Sequence, residues 1–223
     1  MNKKILFSII LLLIVFILFY GVFSLTKKAE INLQDKSKDI IYDKVINNKK
    51  IPYVNLVGGD VDKINENIEL FVKDYVNDEY SDISYDYNKN GNILSLIIRI
   101  IDSKSIDVSE IKFTSYNILL NNSVLVSDDE LFTLLDSNKM EVEKVIENSF
   151  IDYYNNSEII KSIDYDTYKK YQSEYFDYNK DVSYYINKNK IYGYINMNSG
   201  IDYTEYNYFL NKDFKVLVGD INA

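Results

Sequence analysis

The hydrophobic pattern divides the chain sharply. A nearly unbroken apolar run from Ile5 to Phe23 lies between Lys3-Lys4 and Lys27-Lys28. At about 1.5 Å per helical residue the run spans roughly 28 Å, close to the hydrocarbon thickness of a bilayer, and this predicts a membrane-spanning helix. It exceeds the roughly 7 to 15 apolar residues of a signal-peptide core, which favours a retained anchor. The alternative is cleavage near Leu25, because Val22-Phe23-Ser24 has small-residue spacing that a peptidase accepts. Two lysines flank each end, so charge counting leaves orientation open. The four residues before the run are too few for a cytoplasmic domain, and a short basic N-terminus stays inside, which predicts that the rest is extracytoplasmic.

Residues 25–50 are mostly polar, with short apolar patches at Ile40-Ile41 and Val45-Ile46. The predicted division is an anchor with its flanking lysines over 1–28, a stalk or first strand over 29–49, and one domain over 50–223. IPYVNL (51–56) reads as a strand. Gly58-Gly59-Asp60 then turns the chain into a helix whose apolar positions Val61, Ile64, Ile68, Phe71, Val72 and Tyr75 keep helical spacing, with Asp60 as the expected N-cap. Ser127-Asp128-Asp129-Glu130 forms a capping box, Val126 and Leu131 being placed as a hydrophobic staple. The acidic run 128–130 is thereby explained first as compensation of a helix dipole. A second helix follows through Val142, Val145, Ile146, Phe150 and Tyr153, and a third through Tyr168, Tyr171 and Tyr175. Strands are expected at 93–101, 111–120, 182–187, 190–196, 202–210 and 214–218. Because they come in consecutive runs joined by Asn, Gly and Lys turns, the class is α+β with an antiparallel sheet and about three helices.

DYNKNGNILSLI (86–97) places Asp86, Asn88, Asn90 and Gly91 at the first, third, fifth and sixth positions of an EF-hand loop. The twelfth position, which must supply a bidentate acid, is Ile97, and one carboxylate does not hold calcium tightly. A hairpin accounts for every residue: Ile83, Tyr85 and Tyr87 alternate into Asn90-Gly91, and Ile93 starts the return strand.

Composition then removes whole classes of function. The 223 residues include no Cys, no His and no Trp, and Arg99 is the only Arg. Without Cys or His there is no Ser-His-Asp triad, no thiol nucleophile, no disulfide and no ordinary zinc site. Gly58-Gly59 lacks the Lys-Ser/Thr of a P-loop and the third Gly of a dinucleotide fold. Ser109-Glu110-Ile111-Lys112 leads into a strand and has no Ser-Asp-Asn or Lys-Thr-Gly companion, so it is a chance match to an acyltransferase motif. Setting aside the four lysines around the apolar run leaves 21 basic residues against 34 acidic ones, a net charge of about −13 for residues 29–223. Such a surface repels nucleic acid and anionic lipid. No cofactor or metal is expected. A carboxylate pair for glycoside hydrolysis stays chemically open, with Asp202 and Glu205 or Asp164 and Asp166 as nominees.

The C-terminal half is crowded with tyrosine, a side chain that offers a large rigid face with a polar tip. Its plainest role is to replace Trp and Phe in a half-wet sheet. As a candidate binding surface, the strand residues Tyr184, Tyr192, Tyr194, Tyr203, Tyr206 and Tyr208 stand out.

IPYVNL with Asp62-Lys63-Ile64-Asn65-Glu66-Asn67-Ile68, then NILSLIIRI, YNILLNNSVLVSDDELF and YYINKNKIYGYINMNSGIDY, resembles a domain of unknown function found outside the membrane in low-GC Gram-positive bacteria. Related domains form the extracytoplasmic sensor of RsiV-type anti-sigma factors, which recognise lysozyme, and an accessory module of some peptidoglycan deacetylases. The resemblance covers roughly residues 45–215. It implies an exported binding module. Where that family often has Gly-Ala-His, this chain has Asp102-Ser103-Lys104-Ser105-Ile106-Asp107, so no role carries over to that loop. The metal ligands of a deacetylase domain are missing too. The expectation is therefore a single-pass, membrane-anchored, non-catalytic module in the cell envelope, binding an envelope component or a secreted protein, with cationic proteins among the candidates. A carboxylate-dependent wall hydrolase and a structural subunit of an envelope complex are the alternatives.

Overall fold

Two-residue turns set the local architecture. The computed structural model describes residues 39–103, 110–156, 164–196 and 215–221. Strands β1 (Ile41–Ile46) and β2 (Lys49–Val54) pair around Asn47-Asn48, whose φ values of 49° and 66° suit asparagine, the side chain most tolerant of the left-handed region after glycine. The apolar patches at Ile40-Ile41 and Val45-Ile46 are therefore part of a hairpin. Strands β3 (Ser81–Asn90) and β4 (Ile93–Asp102) close around Gly91 at φ 57°, in the register the hairpin reading of DYNKNGNILSLI requires.

Helix α1 (Val61–Val72) packs Val61, Ile64, Ile68 and Val72 into the core. Its entry differs from the expected cap: Asp60 makes no side-chain bond to the helix, and its carboxylate instead accepts from the Leu125 amide at 3.0 Å. The preceding Gly59, at φ 58°, runs so close to the next turn that an added Cβ would lie 2.1 Å from the Ser123 carbonyl oxygen. Only glycine fits there.

Sheet order is β3-β4-β5-β6, with β5 (Glu110–Leu119) and the short β6 (Val124–Leu125) completing the central antiparallel sheet. The apolar run NILSLIIRI is continuous because β4 is covered on both faces. Leu94, Leu96, Ile98 and Ile100 join α1 and the first hairpin in one core, whereas Ile97 packs with Phe113 and Tyr185 on the other side.

The expected second helix is two helices. Helix α2 (Asp128–Leu134) starts in the predicted Ser127–Glu130 capping box, and α3 (Lys139–Asn156) starts in a second reciprocal cap made by Asn138 and Glu141. Helix α4 is Tyr165–Tyr175. Strands β7 (Val182–Asn187), β8 (Lys190–Ile195) and β9 (Lys215–Asp220) form a third antiparallel sheet. The described residues thus contain four helices and three antiparallel sheets, an α+β fold, where one sheet and about three helices were expected. The predicted strand 202–210 and the apolar run 5–23 lie outside the described residues. Among those described, no helix is long and apolar enough to cross a membrane.

Candidate functional site

Among the described residues strand β7 lies at the edge of its sheet, and an edge needs partners for its outward backbone groups. Two buried side chains on the central sheet supply them. Ser95 of β4 and Asn117 of β5 are cross-strand partners, and the Ser95 hydroxyl donates to Asn117 Oδ1 at 2.6 Å. Asn117 Nδ2 donates to the Tyr184 carbonyl at 2.8 Å, and the Ile186 amide donates to Ser95 Oγ at 2.9 Å. Farther along, Asn196 Nδ2 and the Ser183 hydroxyl both donate to the Phe113 carbonyl, at 2.9 and 3.2 Å. These bonds fix β7, and with it the ring of Tyr184, against the middle of the fold.

Tyr184 points to the opposite side of β7 from Tyr185 and enters the core formed with α2 and α3. Its ring meets Phe132 of α2 edge-on, with centroids 5.0 Å apart. Only 4% of the residue is exposed. The hydroxyl end reaches a cleft of about 210 Å³ between the start of α2, the first turns of α3 and the 178–179 turn. It makes no hydrogen bond among the described residues, while the charges of Asp128 and Glu143 act on it directly. Burial first, then those two carboxylates and Tyr178, hold its phenol above the ordinary range.

The cleft is acidic. Asp128, Asp129 and Glu143 line it, against the single cation Lys139. Lys139 Nζ donates to Asn179 Oδ1 and lies 3.9 Å from Glu143 Oε1. Asp128 is open to solvent on one side, yet its carboxyl is pushed up by the protein packed around it and by Asp129, with Lys139 acting in the opposite direction. Tyr178 contributes a second phenol, raised by burial and by Glu147 and Glu143. Glu130 is different: its carboxylate is committed to the Ser127 amide and hydroxyl, both at 2.8 Å, and is held low by them. Dipole compensation therefore accounts for Glu130 and leaves Asp128 and Asp129 available to a ligand.

The structure divides the tyrosine surface that the sequence suggested. Tyr184 lines the cleft with its tip. Tyr192 and Tyr194 are half-buried on the other face of the third sheet, where Lys215 Nζ lies 3.9 and 5.4 Å from their ring centroids. Tyr194 also packs on Phe113 at 5.0 Å. Tyr203, Tyr206 and Tyr208 lie outside the described residues, as do Asp202 and Glu205. Of the other carboxylate pair, Asp164 is occupied as the cap of α4, accepting from the Thr167 amide at 3.0 Å and hydroxyl at 2.6 Å, which lowers its pKa.

Sequence reasoning passed over Asp128, Asp129, Lys139 and Glu143 as a group, because the first two were absorbed by the capping box and the others belong to a separate helix. The available signal was that a capping box needs one acid and this one is preceded by two more. Among the described residues no group of three His, Cys, Asp or Glu side chains is arranged to hold a metal ion. Comparison of the chain with protein-family models and with curated proteins finds no match in either, so the geometry of the cleft carries the functional reading.

Proposed function

We propose that this is a single-pass membrane protein, anchored through residues 5–23, whose following domain works outside the membrane as a non-catalytic binding or sensor module for a cationic protein in the cell envelope. The observation that carries the reading is the acidic cleft, lined by three carboxylates and entered by the Tyr184 hydroxyl. Its three lining carboxylates outnumber its one lysine, so the site still attracts a cation. At about 210 Å³ the cleft is smaller than the roughly 300–1,000 Å³ of pockets that enclose whole small molecules, so it suits a group projecting from a larger partner. The net charge of about −13 on residues 29–223 adds long-range attraction for a basic partner. The resemblance to extracytoplasmic sensors that recognise a cationic protein points the same way.

The test passes full-length protein, in non-ionic detergent micelles, over immobilised lysozyme, other basic proteins of similar charge, and peptidoglycan fragments. Selective, salt-sensitive retention of one basic protein supports the proposal. Equal retention of all of them reduces it to nonspecific attraction. A second reading, a carboxylate-dependent wall hydrolase, is favoured by the raised carboxyl of Asp128 beside Asp129, and release of sugar fragments from peptidoglycan would establish it in place of the first. Orientation is tested separately: protease added to intact protoplasts is expected to digest the domain, and protection of it would overturn the topology.

A further inference from the structure

The cleft contains its own cation. Lys139, in the first turn of α3, lines the cleft, donates to Asn179 Oδ1 and stands 3.9 Å from Glu143. It also acts on Asp128, so one flexible ammonium group is shared among three sides of the same space. Its side chain is about half exposed, at 49%, and is free to swing out. Against it stand three lining carboxylates, which leaves an excess of negative charge even when Lys139 is in place. Tyr184, a residue more than nine-tenths buried, turns its hydroxyl into the cleft toward Asp128 and Glu143, and among the described residues that hydroxyl makes no hydrogen bond while Lys139 bonds to Asn179.

We infer that the cleft is a socket for a single lysine-type ammonium group of the partner, and that Lys139 is its resident competitor. This rests on reading the protein as a binder of cationic proteins. An ammonium group carries three donors, and Asp128, Glu143 and the Tyr184 hydroxyl present three acceptors on different walls. The incoming ammonium displaces Lys139 toward solvent, where water satisfies it at little cost. The resident lysine limits affinity and keeps the excess negative charge of the empty cleft small, so loosely matched cations gain little by entering. No covalent step is involved.

The experiment measures binding of hexalysine to the full-length protein in non-ionic detergent micelles by calorimetry. The variants are Lys139→Gln and Lys180→Gln, the latter removing an equal charge from a lysine that is 80% exposed and paired with Asp177 outside the cleft lining. Lys139→Gln is expected to tighten binding by about tenfold, the low end of coupling between close interfacial charges, and Lys180→Gln by less than about twofold. Adding Tyr184→Phe to Lys139→Gln is expected to remove most of the gain. Equal gains from the two lysine variants, or a gain that survives Tyr184→Phe intact, would overturn the socket while leaving a cation-binding function in place. Failure of every form to bind hexalysine or any basic protein would overturn both readings.

Discussion

The fold contains two main cores of different chemistry. Around α1 the buried residues of the first core are aliphatic but for Tyr116, and Ile64, Ile68, Leu94, Leu96, Ile98, Ile100 and Ile118 are fully buried. Its polar groups are closed off by protein. Asn65 accepts from the Val54 amide at 2.8 Å and donates to the Val54 carbonyl at 3.0 Å, while Lys49 Nζ donates to the carbonyls of Tyr75, Asp78 and Ser81. Around α2 and α3 the second core mixes aliphatic side chains such as Leu131, Ile146 and Ile186 with the aromatic rings of Phe132, Phe150 and Tyr184, and Phe176 and Tyr178 pack against it. Its wall has polar tips. Aliphatic side chains bring nothing to the surface of a core except more apolar surface, whereas a buried tyrosine delivers a hydroxyl to the edge of it. The tyrosine hydroxyls of Tyr85 and Tyr75 beside the first core are bonded to Asp43 and Lys112, whereas that of Tyr184 in the second opens on the cleft.

The largest expected effect lies in the first core. Ile98→Ala leaves a cavity beside the fully buried centre of β4 and is expected to lower stability by about 4 kcal/mol, read from urea unfolding. Binding to a basic partner should stay unchanged under conditions where the variant remains folded. A change in affinity would mean that the two cores are not functionally separate.

The two buried asparagines sharpen the contrast. Asn65 and Asn117 each satisfy strand backbone groups, so alanine at either site strands buried polar atoms and should cost about 2–3 kcal/mol. Only Asn117→Ala should also weaken partner binding, because it releases the segment of β7 that positions Tyr184. Equal effects of both substitutions on binding would remove the special position of the second core.

Tyr184→Phe deletes only the hydroxyl that faces the cleft. Because the hydroxyl faces the open cleft, stability of the free protein should change by less than about 1 kcal/mol while affinity for the basic partner falls. A larger loss of stability would show that the hydroxyl has a structural partner.

Asp128 gives a pH test. Its carboxyl is raised in the folded protein, so its contribution is fully present below the ordinary carboxylate value and is lost as the pH rises through the shifted one. Asp128→Asn should therefore match the wild type in strongly acidic solution and become the more stable of the two as the pH approaches neutral, as followed by thermal melts across pH. The gap should shrink when a basic partner is bound, since a cation favours the ionised carboxylate. A gap that is independent of pH would place the carboxyl in bulk solvent.

Much of this fold was legible because it is written in local rules. Asn90-Gly91 between alternating segments specified a hairpin, and Ser127 with Glu130 specified a helix start whose two reciprocal bonds are present. The single second helix became two because Asn138 and Glu141 cap again within one apolar periodic stretch, a signal that periodicity alone overrides. Ser95 and Asn117 were illegible. A polar residue in an apolar strand reads as an outward position, and their role depends on β7, which arrives more than 60 residues later in the chain. Tyr184 was nominated from its strand, but β7 is buried on both faces from Val182 to Ile186, so no alternation could say which tyrosine meets a core and which a cleft.

The central claim is that the second region, through its cleft, binds the cation. It is tested most directly by titrating one basic protein, lysozyme, into full-length protein carrying Asp128→Asn with Glu143→Gln, and into protein carrying Glu66→Gln with Glu69→Gln on α1. Each pair removes two negative charges. The cleft pair should weaken binding by more than about tenfold and the helix pair by less than about twofold at 0.15 M salt, where the Debye length is about 8 Å. Equal losses from the two pairs would contradict the account, because net charge alone would then explain the attraction.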